Sequence, residues 1–358
     1  MKKFVSALIA LCLVLSTIPF SLATDTNSEE LFVQSADCPI AYIQYTKENI
    51  SRFTTSLIES KEISVDSVIS VGTPFCFITN TNIFYFPIFV DNEFTFLFRV
   101  FSVSSNTIEG IMSKFLVKEI NEYLDTTSQQ APLSLYTDGN AIKIRQKTVT
   151  QTIFEYPENI CLSSENDMNQ SIDCSFDAIN IAEPIMSVQS TASLYSYPAY
   201  KYLDLDICET QGNNSWCTAY SGSIILRYLG YTSVKARTIM SYYYPSPETT
   251  DSLSYLKIAE YANQLGVRAT AKNSTLTNDQ LKTQLNSNMP VYTTMENVSK
   301  PSSHHAVVLR GYSDSVKVWS IWNPWYSDYE IYSYGGNYIP TGTTTRYAYC
   351  NTVYNWTK

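Results

Sequence analysis

The sequence predicts an α+β chain built from two unlike halves, and three patterns predict it. Residues 30–180 carry short apolar runs broken by Asp-Asn and Asp-Gly turns, as a β-rich domain does. After residue 206 the apolar period becomes helical and then returns to strands, so helices and sheet are segregated within one domain. Between the two lies a Ser/Thr/Pro/Tyr stretch at 184–206 with little periodicity, which reads as an exposed linker where proteolytic nicking concentrates.

The elements follow in chain order. The opening "MKKFVSALIALCLVLSTIPFSLA" has two lysines, a broken apolar run too short to span a bilayer, and then Ser21-Leu22-Ala23. That is a secretory signal peptide over residues 1–23, cut after Ala23. No later segment reaches the roughly 18 apolar residues of a membrane helix, so the expected product is exported, without membrane as a partner. The remaining residues, 24–358, suggest two domains of ordinary size. A hydrophobic content of 44% lets both bury cores, which excludes a disordered chain.

Residues 24–183 form the first of these, an acidic β-rich prosegment or regulatory domain. Residues 24–199 hold 9 Lys/Arg against 22 Asp/Glu, while residues 200–358 hold 13 against 11. With the whole chain at −9, nucleic acid is not an expected partner. In the acidic half "IFYFPIFV" and "FTFLFRVF" flank Asp91-Asn92 as a hairpin, and Asp138-Gly139 marks a second. Between them a helix is expected, capped by Asn106 with Glu109 three residues on. Ile108, Ile111, Met112, Phe115, Leu116, Ile120 and Leu124 recur along it at helical spacing. After the linker, helices are expected over 217–229 with Gly230 as the stop, over 251–265 with Gly266 as the stop, and from a Thr277–Gln280 capping box to about Asn288. "HAVVLRGY" and "VKVWSIWNPW" then read as two strands of a hairpin.

Chemistry concentrates in the second half. Eight cysteines become seven once Cys12 leaves with the signal peptide, and an odd cysteine in an exported chain is an intermolecular partner or a free thiol. Six could pair, most simply as Cys38–Cys76, Cys161–Cys174 and Cys208–Cys350. The neighbourhood of Cys217 singles it out as the seventh. A helix that begins at the cysteine, with Asn214 or Ser215 as cap, points its positive end at the sulfur and favours thiolate. A nucleophile of that kind needs a base, and only two histidines exist, His304 and His305. Neighbours on a strand point to opposite faces, so only one of them can serve. A turn centred on Asp314 would set His305 opposite Asn323, within reach of a side-chain hydrogen bond. Gln211, six residues before Cys217, could join the Cys217 N–H in holding an oxyanion. The two adjacent histidines and disulfide-spaced cysteines offer no metal-ligand set, and no cofactor is implied.

"QGNNSWCTAY", "HAVVLRGY" and "WNPW" resemble the three active-site segments of papain-like cysteine proteases, in particular the staphopain family of secreted bacterial proteases. The resemblance covers roughly residues 205–358. It implies a papain-like two-lobed catalytic domain over 207–358, a helical lobe plus a β lobe, preceded by a β-rich prosegment that blocks the cleft until removed. It further implies a secreted cysteine endopeptidase made as a zymogen. This enzyme would act as a monomer on protein or peptide substrates, with its own prosegment as intramolecular inhibitor. Cys217 is then the nucleophile, His305 the acid–base, Asn323 the group that orients it and Gln211 the oxyanion donor. Two other readings share these residues or the fold: a Cys-His amidase acting on cell-wall peptide, and a non-catalytic secreted binding or adhesion protein.

Overall fold

One antiparallel sheet runs through both halves of the chain. The computed structural model describes residues 37–77, 80–126, 133–138, 140–146, 148–156 and 197–358. The expected signal peptide, the linker upstream of Tyr197, Gly139, and Cys161 and Cys174 lie outside the described residues. The strands are β1 (Ile69–Val71), β2 (Phe75–Phe77), β3 (Asn80–Val90), β4 (Glu93–Ser104), β5 (Thr107–Ser113), β6 (Leu133–Thr137), β7 (Ala141–Gln146), β8 (Val149–Glu155), β9 (Tyr200–Tyr202), β10 (Arg268–Lys272), β11 (Val291–Asn297), β12 (His304–Ser313), β13 (Val318–Trp322), β14 (Tyr329–Ser333) and β15 (Tyr347–Thr357). The helices are α1 (Ile40–Glu59), α2 (Val117–Thr126), α3 (Cys217–Tyr228), α4 (Ala236–Tyr243), α5 (Tyr255–Gln264) and α6 (Asn278–Asn286). The content is that of an α+β chain. No described helix is long and apolar enough to cross a membrane.

The large sheet has the order β1-β3-β4-β5-β14-β13-β12-β11-β15-β10, with β2 on β3 and β9 on β12; β6-β7-β8 form a second sheet. The two halves of the chain join at the β5–β14 pair, where Met112 faces Ile331 and Ser113 faces Glu330. Helix α1 lies across this junction. Tyr42, Thr46, Ile50, Phe53 and Leu57 recur at helical spacing and are buried. They pack in one cluster with Phe98 and Met112 on one side of the junction and Val318 and Ile331 on the other.

Several expected elements are present as read. Asp91 and Asn92, both at positive φ, turn β3 into β4 as a tight hairpin requires. Gly230, at φ +98°, ends α3 in the left-handed conformation that glycine tolerates best. The Thr277 capping box opens α6: the Gln280 N–H donates to Thr277 Oγ1 at 3.3 Å, and the Thr277 N–H to Gln280 Oε1 at 3.0 Å. Helix α5 starts at Tyr255, four residues later than the pattern suggested, and α1 and α4 were not anticipated.

Others differ for identifiable reasons. The helix expected from Asn106 to Leu124 is β5 followed by α2. Ile111 and Met112 sit on a strand hydrogen-bonded on both edges, to β4 and to β14, and that double pairing outweighs a helical spacing of apolar residues. The β12–β13 turn is longer than a reversal centred on Asp314, because Ser313 pairs with Val318 and Lys317 adopts φ +56°. A bulge between Leu309 and Gly311 shifts the register again, so Val308 faces Trp322. The expected Cys208–Cys350 pairing is not formed. Cys208 is an exposed free thiol that accepts from Lys235 Nζ at 2.6 Å, whereas Cys350 donates to the Thr294 carbonyl at 3.2 Å. Cys38 is likewise a free thiol, and its electrostatic neighbour is Cys76.

Candidate active site

Helix α3 is buried along nearly its whole length, from Thr218 to Arg227, which fixes its first residue, Cys217, against the sheet. Gly222 allows this: a Cβ there would stand 2.7 Å from Ile258 Cδ1 of α5. The loop before the helix is held at several points. The Asn214 side chain accepts from the Trp216 N–H at 3.0 Å, the Ser215 N–H donates to the Thr249 carbonyl at 2.7 Å, and Trp216 Nε1 donates to the Glu248 carbonyl at 2.9 Å. Neither Asn214 nor Ser215 is the cap; that position is Trp216, with no side-chain cap bond. The first-turn N–H groups therefore stay available at the sulfur end of the helix.

His304 and His305 open β12 and diverge as adjacent strand residues must. His304 is half-exposed, with Nε2 4.0 Å from Glu296, whereas His305 is buried. His305 Nε2 lies 2.8 Å from Asn323 Oδ1. Strand pairing does not make this contact, because β13 ends at Trp322. The chain turns at Asn323-Pro324 instead, with the Trp325 N–H donating to Asn323 Oδ1 at 3.0 Å and the Tyr326 N–H to the Asn323 carbonyl at 2.9 Å. The Trp325 ring covers the imidazole, its centroid 4.1 Å away.

Gln211 belongs to the same assembly. Its N–H donates to the Pro324 carbonyl at 2.6 Å, joining the loop before α3 to the loop after β13, and its Nε2 donates to the Asn214 carbonyl. Gln211, Cys217, His305 and Trp325 all line one cleft of about 550 Å³. Asn323 sits behind it, fully buried. Thus the four residues singled out from sequence meet at one place, three at the cleft and one beneath it.

Burial acts on both ionisable partners. It pushes the Cys217 thiol up, opposed by hydrogen bonds from the backbone at Ala306 and Thr218 and from the Thr218 hydroxyl. It pushes the His305 imidazole down to about 4, opposed by Asn323. Each charge alone is thus disfavoured by burial. No three His, Cys, Asp or Glu side chains gather as a metal site among the described residues.

Residues 194–346 match the model of the Peptidase_C39 like family. An "Extracellular cysteine protease" of Staphylococcus epidermidis is 25% identical over 277 residues, covering 71% of this chain and 68% of the relative. "Staphopain A" of Staphylococcus aureus is 22% identical over 395 residues, covering 99% of this chain and all of the relative. The chain is thus similar to staphopain-type cysteine proteases. The indole of Trp325, which shields the imidazole, lies within "WNPW" but has no role that the sequence alone suggests. Tyr338, the partner of Asn323 on its other side, and Glu330, which Tyr338 in turn contacts, were not singled out from sequence.

Proposed function

We propose that this cysteine protease is an exported endopeptidase, made as a zymogen, in which Cys217 and His305 carry the chemistry. The observation that supports it most is the His305 Nε2–Asn323 Oδ1 contact of 2.8 Å at a cleft where Cys217 opens a buried helix. The Cys217 thiolate attacks the scissile carbonyl carbon, and the carbonyl π pair moves to oxygen. The Cys217 N–H and the Gln211 amide stabilise that oxyanion. The His305 imidazolium protonates the leaving amine as the C–N bond breaks, leaving a thioester and a neutral imidazole. Water then attacks the thioester while His305 takes its proton, and collapse of the adduct re-forms the carbonyl and breaks the C–S bond, releasing the acid and restoring the Cys217 thiolate beside the His305 imidazolium. Asn323 keeps the imidazole in plane with Nε2 protonated, so that Nδ1 exchanges the proton.

Before processing, the acidic N-terminal half holds the precursor inactive, and the maturation cut falls upstream of β9. Two features favour that limit: Tyr200–Tyr202 pair with Gly311–Ser313 of β12, and Leu203 and Leu205 are buried. The name of the Staphylococcus epidermidis relative, an extracellular cysteine protease, supports export.

Alkylation of the exported protein by an epoxysuccinyl peptide, with intact mass and N-terminal sequencing, tests the reading. One equivalent on Cys217 and a new N-terminus between residues 184 and 199 are expected, with neither in Cys217→Ala. A folded chain that stays unlabelled even after an added protease cuts the linker would exclude an activated thiol.

A further inference from the structure

Gln211 reaches the cleft from a segment without regular structure, since residues 203–212 belong to neither a helix nor a strand. Its side-chain nitrogen carries two protons. One is held by the Asn214 carbonyl, which leaves the other for an oxyanion beside the Cys217 N–H. Gln211 Oε1 is buried and has no hydrogen-bond partner among the described residues. The amide is therefore not clamped from its oxygen side. Where its second N–H points is decided by where the backbone of the loop lies.

A buried ion pair anchors that loop. Glu209, two residues before Gln211, turns its carboxylate inward. Its Oε1 accepts from Arg227 Nη1 and from the Ala236 N–H that opens α4, each at 2.9 Å, and lies 2.9 Å from Ser223 Oγ. Arg227 Nη2 donates to the Asp206 carbonyl at 3.0 Å, and Nη1 also to the Val234 carbonyl at 3.1 Å. The Asp206 carboxylate stands 3.7 Å from Arg227 Nε. The Arg227 side chain is 1% exposed and that of Glu209 19%. Ser223 and Arg227 both stand on α3, the helix that begins at Cys217. The nucleophile and the loop carrying the oxyanion donor are thus pinned to one helix. Arg227 lies ten residues beyond Cys217, about 15 Å along the axis, so it touches no reacting atom.

From these contacts we infer that Arg227 is a positioning residue for the oxyanion donor, acting through Glu209 to set Gln211 relative to Cys217. The inference rests on the catalytic reading of Cys217 and Gln211 given above. Donors stabilise an oxyanion only when held about 2.7–3.1 Å from where that oxygen will stand. A misplacement of about 1 Å from a change far from the chemistry can cost roughly 10²-fold. Burying a guanidinium is costly, and here it gains no contact in the cleft; what it secures is the geometry of this loop.

Arg227→Met unties the loop from α3. The double variant Arg227→Met/Glu209→Gln also removes the carboxylate charge and serves should the single variant fail to fold. Each is assayed, after an added protease has cut the linker, for kcat and KM on a peptide substrate. The rate at which iodoacetamide alkylates Cys217 is followed alongside, by peptide mapping because Cys208 is an exposed thiol too. Alkylation needs the thiolate but no oxyanion, so it separates the two functions. Losing one oxyanion donor typically costs about 10²–10³ in rate, so Gln211→Ala should lower kcat by that factor and a displaced Gln211 by about tenfold. Arg227→Met should therefore lower kcat about tenfold, with KM and the alkylation rate little changed. Arg227→Lys, which keeps a cation against Glu209, should recover part of the loss. In a Gln211→Ala background Arg227→Met should lower kcat no further. A folded Arg227 variant with wild-type kcat overturns the inference, and so does a full tenfold loss when Gln211 is already gone. A parallel fall in alkylation also overturns it, making Arg227 a support of α3 as a whole. Full activity in Gln211→Ala, or wild type left unlabelled at Cys217, would instead overturn the catalytic reading itself.

Discussion

His305 and Cys217 line the same cleft, and on the proposed chemistry their protonation governs activity as well as stability. An imidazole held at about 4 in the folded chain, against an ordinary value near 6.5, binds fewer protons than it does unfolded. Its contribution to stability is therefore complete above about pH 6.5 and is lost as pH falls towards 4. At 1.36 kcal/mol per unit, the loss approaches roughly 3 kcal/mol. Cys217→Ala isolates this case, because no thiolate can form to retain the proton on the ring. Thermal unfolding of Cys217→Ala between pH 7 and 4 should show a decline that Cys217→Ala/His305→Gln lacks. Wild type, in which a thiolate pairs with the imidazolium, should lose less over that interval. Equal declines in wild type and Cys217→Ala would mean that the pair is neutral in the resting enzyme.

At the level of elements, β9 is the junction between the linker and the catalytic sheet, and its seat depends on one glycine. A Cβ at Gly311 would meet Tyr202 Cδ1 at 2.5 Å and the Lys201 carbonyl at 2.7 Å, and a backbone carbonyl paired in a sheet has nowhere to move. Gly311→Ala should cost about 1–3 kcal/mol, as overpacking does, and should expose the bond after Lys201 to trypsin. An unchanged melting temperature with no cut at Lys201 would refute that account of β9. The site elements were the legible ones. A cysteine at a helix start, a histidine at a strand start and an asparagine before proline each announce themselves within a few residues, and their meeting survived an error in the hairpin register. The register failed because a bulge and a four-residue turn are set by packing around Asp314, whose carboxylate accepts from Lys282 and Lys317 Nζ. Strand β5 was misread for a related reason. Its apolar spacing suits a helix, and only the presence of β4 and β14 on its two edges makes it a strand.

For the whole molecule, the question is what would hold the two halves together if the proposed linker were cut. Charge asymmetry alone would favour docking by surface attraction, with 22 Asp/Glu against 9 Lys/Arg over residues 24–199. The contacts show a different balance. Glu62 meets Arg310 at 2.5 Å with both side chains largely buried, but in the Arg99–Glu330 pair the cation comes from the acidic half. Around these pairs lie the β5–β14 ladder, the apolar face of α1, and two buried tyrosines, whose hydroxyls reach the backbone of Thr341 and Gly342 from Tyr156 and Tyr85. None of this is long-range surface attraction, which about 1 M salt would screen over roughly 3 Å. The protein cut upstream of β9 should therefore run as one species by size-exclusion chromatography in 1 M NaCl and unfold in a single transition. Separation of the halves by salt alone would show that general charge attraction, rather than the shared sheet and its buried pairs, joins them.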